Sequence, residues 1–209
     1  MKLQIACDMT DVDLMWKVLD ATHDLIDIIE LGNIGQYEGA RLIPMCKEKY
    51  PDCEVLWDQK QSMLYTDVPA FEFKADYVSV DSMSSDSTFK EHFEMREKYG
   101  SKIVCDMMAP YEGAAKALHA WEIGCDQVSF HPNLDHDAYP VGDVKKLKYI
   151  MDAVGDKMEV STYGGFTLEN VRPVLELKPH ILVVGAAIWK AEDPRAVTEA
   201  FLKLMKEYE

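Results

Sequence analysis

Eight short, β-rich apolar runs alternate with eight longer amphipathic segments along this 209-residue chain, and no linker separates them. The runs fall at 3–8, 25–31, 54–60, 77–81, 102–107, 127–131, 158–162 and 181–185. The amphipathic segments fall at 11–18, 38–49, 66–73, 87–99, 111–123, 143–154, 167–177 and 193–207. Strands joined by crossover helices run parallel. Eight such units, with a mean repeat of about 25 residues, predict an α/β chain closed into a (β/α)8 TIM barrel, one domain over 1–209. The chain is short for that fold, so its loops must be tight. The alternative is an open doubly wound sheet, although the first unit lacks a glycine-rich phosphate turn.

Local signals agree with this division. Thr10 or Asp11 can cap the first helix, and Thr167-Leu168-Glu169-Asn170 offers a cap before an apolar-periodic segment. Asp193-Pro194 is a cap followed by proline at the first helical position. Pro69 interrupts the short segment at 66–73.

Net charge is −15, from 22 basic and 37 acidic residues. That argues against a nucleic-acid partner, which would be held through Lys and Arg. No apolar run approaches the ~20 residues of a membrane helix. Residue 8 is already an acid, too early for a signal peptide. The five cysteines are odd in number and include no Cys-x-x-Cys pair. They are expected as reduced, buried thiols of a cytoplasmic protein.

In a parallel barrel, chemistry sits at the C-terminal ends of the strands. Those ends carry Asp8, Glu30, Asp58 with Lys60, Asp81, Asp106, His131, Thr162 with Gly164 and Gly165, and Gly185. Residues two apart on a strand share a face, so Asp58 and Lys60 point the same way. They could form a purely structural ion pair, but Glu30 and His131 at neighbouring strand ends favour a site. Acids converging at a mouth repel unless a cation lies among them, and hard oxygen ligands favour Mg²⁺. Asp8 is expected to orient Lys60 or touch substrate, and Asp81 and Asp106 serve either as site acids or as loop caps. His131 has a side chain suited to proton transfer near neutral pH. His136 and Asp137 read as solvated loop residues. Gly164-Gly165 and Gly185-Ala186-Ala187, with a short helix at 187–190, suggest a phosphate grip after the last two strands.

At these residues the chain resembles the orotidine-monophosphate-decarboxylase suprafamily. Within it, the likeness is to 3-hexulose-6-phosphate synthase and 3-keto-L-gulonate-6-phosphate decarboxylase. The likeness covers nearly the whole chain. It runs through Leu3-Gln4-Ile5-Ala6-Cys7-Asp8, Asp27-Ile28-Ile29-Glu30-Leu31-Gly32 and Asp58-Gln59-Lys60 to His131 with Asp135. It continues through Tyr163-Gly164-Gly165-Phe166, Val183-Val184-Gly185-Ala186-Ala187-Ile188 and Ala191-Glu192-Asp193-Pro194-Arg195. The resemblance implies a homodimer acting on a phosphorylated sugar, with Mg²⁺ stabilising an enediolate. Glu30 and Asp58 would contact Mg²⁺, Lys60 would face the enediolate oxygens, and His131 would move the proton. Gly165, Gly185 and Ala186 would offer N–H groups to the phosphate.

Three positions depart from the family pattern. Met63 replaces the last acid of Asp-x-Lys-x-x-Asp, which argues against orotidine decarboxylation, and the sequence leaves open whether another acid, such as Asp81 or Asp67, takes its place. Leu134 and Ala186 stand where the keto-gulonate decarboxylases carry arginine, which favours the synthase branch. The resemblance thus implies aldol addition of ribulose 5-phosphate to formaldehyde. The alternatives are decarboxylation of a 3-keto-sugar-acid 6-phosphate, and a non-catalytic sugar-phosphate-binding barrel.

Overall fold

The eight strands close into one parallel barrel in sequence order. The structure is a computed structural model and describes residues 1–108, 113–131 and 144–208, excluding the side chains of Met108 and His131. The strands are β1 (Lys2–Ala6), β2 (Ile28–Leu31), β3 (Glu54–Gln61), β4 (Tyr77–Asp81), β5 (Lys102–Met108), β6 (Gln127–His131), β7 (Glu159–Thr162) and β8 (Ile181–Val184). The helices are α1 (Val12–Thr22), α2 (Asn33–Glu38), α3 (Leu42–Lys49), α4 (Leu64–Glu72), α5 (Asp86–Tyr99), α6 (Gly113–Ile123), α7 (Val144–Val154), α8 (Arg172–Leu175), α9 (Ala186–Trp189) and α10 (Pro194–Lys206). β8 pairs back to β1 through Leu182 with Leu3 and Val184 with Ile5.

Alternation along each strand separates two cores. Ile28, Leu56, Tyr77, Val104, Ile181 and Val183 fill the barrel interior. Their neighbours, such as Ile29, Val55, Val78 and Ile103, face the helices. Asp11 caps α1 by accepting from the Asp13 and Leu14 amides, and Asp193 caps α10 by accepting from Ala196. All five cysteines are free and buried.

Two helical segments differ from expectation. The segment at 38–49 begins only at Leu42, and a short helix not expected from the sequence, α2, precedes it and ends at Gly39, whose φ of +78° suits glycine. The segment at 167–177 starts late. Pro173 has no N–H to bond the Glu169 carbonyl, so the chain makes a turn at Thr167–Asn170, where Asn170 Oδ1 accepts from the Thr167 amide. Helix α8 begins only at Arg172. Pro69 lies inside α4 rather than ending it. Among the described residues, no helix is long and apolar enough to cross a membrane.

Candidate active site

Above the apolar filling, the inward positions become polar. Gln4 from β1, Glu30 from β2, Asp58 from β3, Ser79 from β4, Asp106 from β5 and Ser129 from β6 are all buried. Lys60 enters this layer from the end of β3. Its ammonium hydrogen-bonds Asp58 and lies 3.8 Å from Asp106 Oδ2, while its amide donates to Ser79 Oγ at 3.0 Å. Its Nζ also lies 6.0 Å from the centre of the Tyr163 ring.

The electrostatics follow from burial and from the count of charges. Burial alone would strip the proton from Lys60, but the charges of Asp58, Asp106 and Glu30 outweigh it and raise the pKa. Lys60 is therefore a fixed cation. Burial pushes Asp58 up, and the adjacent Lys60 ammonium overrides that and holds its carboxyl below the usual range. Glu30 is driven well above the usual range by burial first, then by the charges of Asp58 and Asp8. Gln4 Nε2 donates to Glu30 Oε2 at 2.6 Å. Asp106 is pushed up to about 8 by burial; Lys60 opposes this and the charges of Asp58 and Asp81 add to it.

The structure brings Glu30, Asp58 and Lys60 together as the sequence predicted, and it adds Asp106 to them. Asp8 makes no contact with Lys60 but stands at the same end of the barrel, close enough for its charge to act on Glu30. Asp8 is exposed, and its carboxylate accepts from the Asn33 amide at 3.2 Å, at the start of α2. The carboxylates beside Lys60 are Asp58 and Asp106 instead. Asp67 does not replace the missing motif acid: it is fully buried on the helix side of β3, against Trp57 and His92. Met63 is 53% exposed at the entry to α4. Asp81 accepts from the Met83 amide at 2.7 Å and so caps the β4 loop. The backbone of His131 ends β6 opposite Met108. Its side chain, and all of Leu134, Asp135, His136 and Asp137, lie outside the described residues.

Across the mouth, Gly164 and Gly165 follow β7, and Gly165 has a φ of +60°. Gly185 follows β8 and caps α9 with no side-chain hydrogen bond. A Cβ on Gly185 would stand 3.4 Å from the Ala6 carbonyl, so the backbone runs close to β1 there. First-turn amides of a helix have no partner within it, which leaves Ala186 and Ala187 able to donate to an anion.

The donor set fits a hard divalent cation. Asp58 Oδ1 and both Asp106 oxygens are buried with no hydrogen-bond partner. Among the described residues no three metal-ligating side chains form a closed cage. Asp58 and Asp106 thus leave oxygens for one or two carboxylate contacts, the number Mg²⁺ takes when waters and substrate oxygens fill its other positions. Glu30 and Asp58 are the residues that would hold it.

No protein-family model matches the chain. The 3-hexulose-6-phosphate synthase of Mycobacterium gastri is 30% identical over 205 residues, covering 95% of this chain and 97% of that protein. The crystal structure of 3-hexulose-6-phosphate synthase from Salmonella typhimurium superposes with a TM-score of 0.91 at 28% identity, covering all of both chains. The 3-keto-L-gulonate-6-phosphate decarboxylase of Vibrio cholerae shares the fold with a TM-score of 0.84 at 20% identity, over 100% of this chain and 98% of that one. The match in sequence over nearly the whole chain and the closed barrel lead to one assignment: this chain belongs to the 3-hexulose-6-phosphate synthase family.

Proposed function

We propose that the chain is a lyase of the aldolase type, adding ribulose 5-phosphate to formaldehyde to give a 3-hexulose 6-phosphate. The observation that carries this is the buried ammonium of Lys60, set among Asp58, Asp106 and Glu30, with Gly164, Gly165 and Gly185 following β7 and β8 at the same end of the barrel. The cradle of Gly164, Gly165, Gly185 and Ala186 binds the phosphate, which fixes the far end of the ketose. Lys60 then stands where negative charge develops as C1 loses its proton, a preorganised cation that needs no reorientation. Glu30 and Asp58 would hold Mg²⁺, which when bound would supply Lewis-acid stabilisation of the same charge. His131 moves the C1 proton, and the resulting enediolate carbon forms the new bond to the formaldehyde carbon, whose oxygen takes up a proton. Asp106, 3.8 Å from the Lys60 ammonium, helps keep it in place together with Asp58. Ala186 puts no cation in the cradle, so the phosphate rests on backbone N–H groups, as the synthase branch requires.

A rim of exposed apolar side chains supports a homodimer that closes over this mouth. Tyr37, Met63, Tyr65 and Met83 follow β2, β3 and β4 and are 53–76% exposed. Their place after three consecutive strands puts them on one end of the barrel, and exposed apolar surface there is what a partner copy would cover. Met63→Glu shifts the wild-type dimer to monomer in sedimentation if this rim is the interface.

Exchange of the C1 proton of ribulose 5-phosphate in D₂O, followed by NMR, tests the reaction. Mg²⁺-dependent exchange without formaldehyde is the expected result. No exchange, together with release of CO₂ from a 3-keto-sugar-acid phosphate, would overturn the aldolase assignment.

A further inference from the structure

The outer face of β3 carries a buried polar array that the chemistry above does not use. Trp57 immediately precedes Asp58, so it projects to the opposite face of the strand, into the helix layer. Its indole Nε1 donates to Asp67 Oδ1 on α4 at 3.0 Å. The second Asp67 oxygen lies 3.2 Å from His92 Nε2 on α5, and His92 Nδ1 lies 2.8 Å from the Thr88 carbonyl. A carbonyl only accepts, so Nδ1 carries a proton there. Asp67 and His92 are both 0% exposed. On the same face, Gln59 Nε2 donates to the Leu31 and Gly32 carbonyls at 2.8 and 2.9 Å and ties β3 to the end of β2.

The strand needs support at this height. Its ladder with β4 is regular at Leu56–Tyr77 and Trp57–Val78, then slips before resuming at Gln61–Val80. Asp58 and Lys60 lie inside the slip, and Lys60 has a φ of +51°, a region seldom used by residues with a side chain. Regular pairing with β4 therefore does not place them. Burying an acid and a histidine costs desolvation that an apolar pair of similar volume would avoid. Here that cost maintains a directed bond to Trp57, at the last regular residue before the slip.

We propose that Trp57, Asp67 and His92 form a positioning array that holds the end of β3 from outside, and so sets where Asp58 and Lys60 stand in the mouth. This rests on the reading of Asp58 and Lys60 as site residues, so its test includes a signal independent of turnover.

Two variants separate the bond from packing. Trp57→Phe removes the donor and keeps an aromatic ring. Asp67→Leu removes the acceptor, and Asp67→Asn is the conservative control that keeps an oxygen for the indole. Trp57→Phe and Asp67→Leu are expected to lower kcat about 10- to 100-fold with KM within about twofold, because misplacing a catalytic group acts on the chemical step. Asp67→Asn stays within a few-fold of wild type. In ¹³C-labelled protein, the Lys60 Cε resonance, assigned by its absence in Lys60→Arg, moves in Trp57→Phe and Asp67→Leu and returns in Asp67→Asn. A folded Trp57→Phe enzyme with an unmoved Lys60 resonance overturns the array, even if Asp67→Leu fails to fold. Should wild type show no turnover of ribulose 5-phosphate, the assigned reaction fails, and the Lys60 resonance still decides the array.

Discussion

β3 carries Glu54 at the floor of the barrel and Asp58 at its mouth, and β5 likewise carries Lys102 and Asp106. At the floor, the charges match. Lys2 pairs with Glu54 at 2.5 Å and Lys102 with Glu159 at 3.7 Å. Tyr77 hydroxyl sits between them, accepting from Lys102 at 3.1 Å and donating to Glu54 at 3.3 Å. At the mouth, Lys60 faces Glu30, Asp58 and Asp106, and three carboxylate oxygens are left without hydrogen bonds. The same strands thus end in a matched set on one side and an acid excess on the other. A matched set needs nothing more and serves stability. An acid excess in a buried layer holds protons or a cation until something binds, and it belongs at the functional end of a barrel.

The largest effect comes from removing the Lys60 ammonium, the one buried cation of the mouth among the described residues. Lys60→Ala lowers the rate of C1 exchange by about 10²–10³-fold or more, the scale expected for losing a preorganised charge at a developing anion. Turnover that survives this change would mean that the charge imbalance of the mouth is not used in the reaction as assigned.

The next effect is on pH dependence. Asp106 is raised from an ordinary carboxylate value to about 8, so the folded protein binds this proton more tightly than the unfolded chain does. The stability it contributes is fully present below about pH 4 and is lost as pH rises toward about 8. Metal-free protein should therefore melt at lower temperature near pH 8.5 than near pH 5.5, and the Asp106→Asn variant should lose less across that interval. Glu30 is raised in the same direction, so some slope persists in the variant. Mg²⁺ should restore more stability at the higher pH. Scanning calorimetry with EDTA and with Mg²⁺ at both pH values checks this. A flat wild-type profile would show that the mouth acids are already compensated.

The sequence made the barrel and half of its mouth legible, for identifiable reasons. The alternation of short β-rich runs with amphipathic segments located all eight strands, because a buried parallel strand is apolar on both faces. Glu30, Asp58 and Lys60 were visible because each closes such a run. Asp106 sits in an equivalent place, but what distinguishes it from a cap such as Asp81 is its 3.8 Å approach to Lys60 across β4, which no linear spacing records. Whether Asp67 replaces the missing acid was left open by the sequence, because only the fold shows its carboxylate turned to Trp57 and His92 in the helix layer. Gln4 could have been found: a glutamine in the middle of an apolar run is a polar group that must bond inside the barrel, and its partner is Glu30.

The smallest effect tests the floor. Glu54→Gln keeps the shape of the side chain and removes one charge of the matched set, leaving Lys2 to face Tyr77 alone. Both partners of the Lys2–Glu54 pair are about one-third exposed, so solvent screens much of their attraction. The pair is worth about 0.2–1 kcal/mol on the scale of exposed ion pairs. For a domain of this size that is roughly 0.4–4 °C in melting temperature. The exchange rate and its dependence on Mg²⁺ should stay at the wild-type level, because Glu54 and Asp58 lie four residues apart on β3 with the apolar layer of Leu56 between them. A fall in turnover with no fall in melting temperature would break the division between a floor that stabilises and a mouth that reacts.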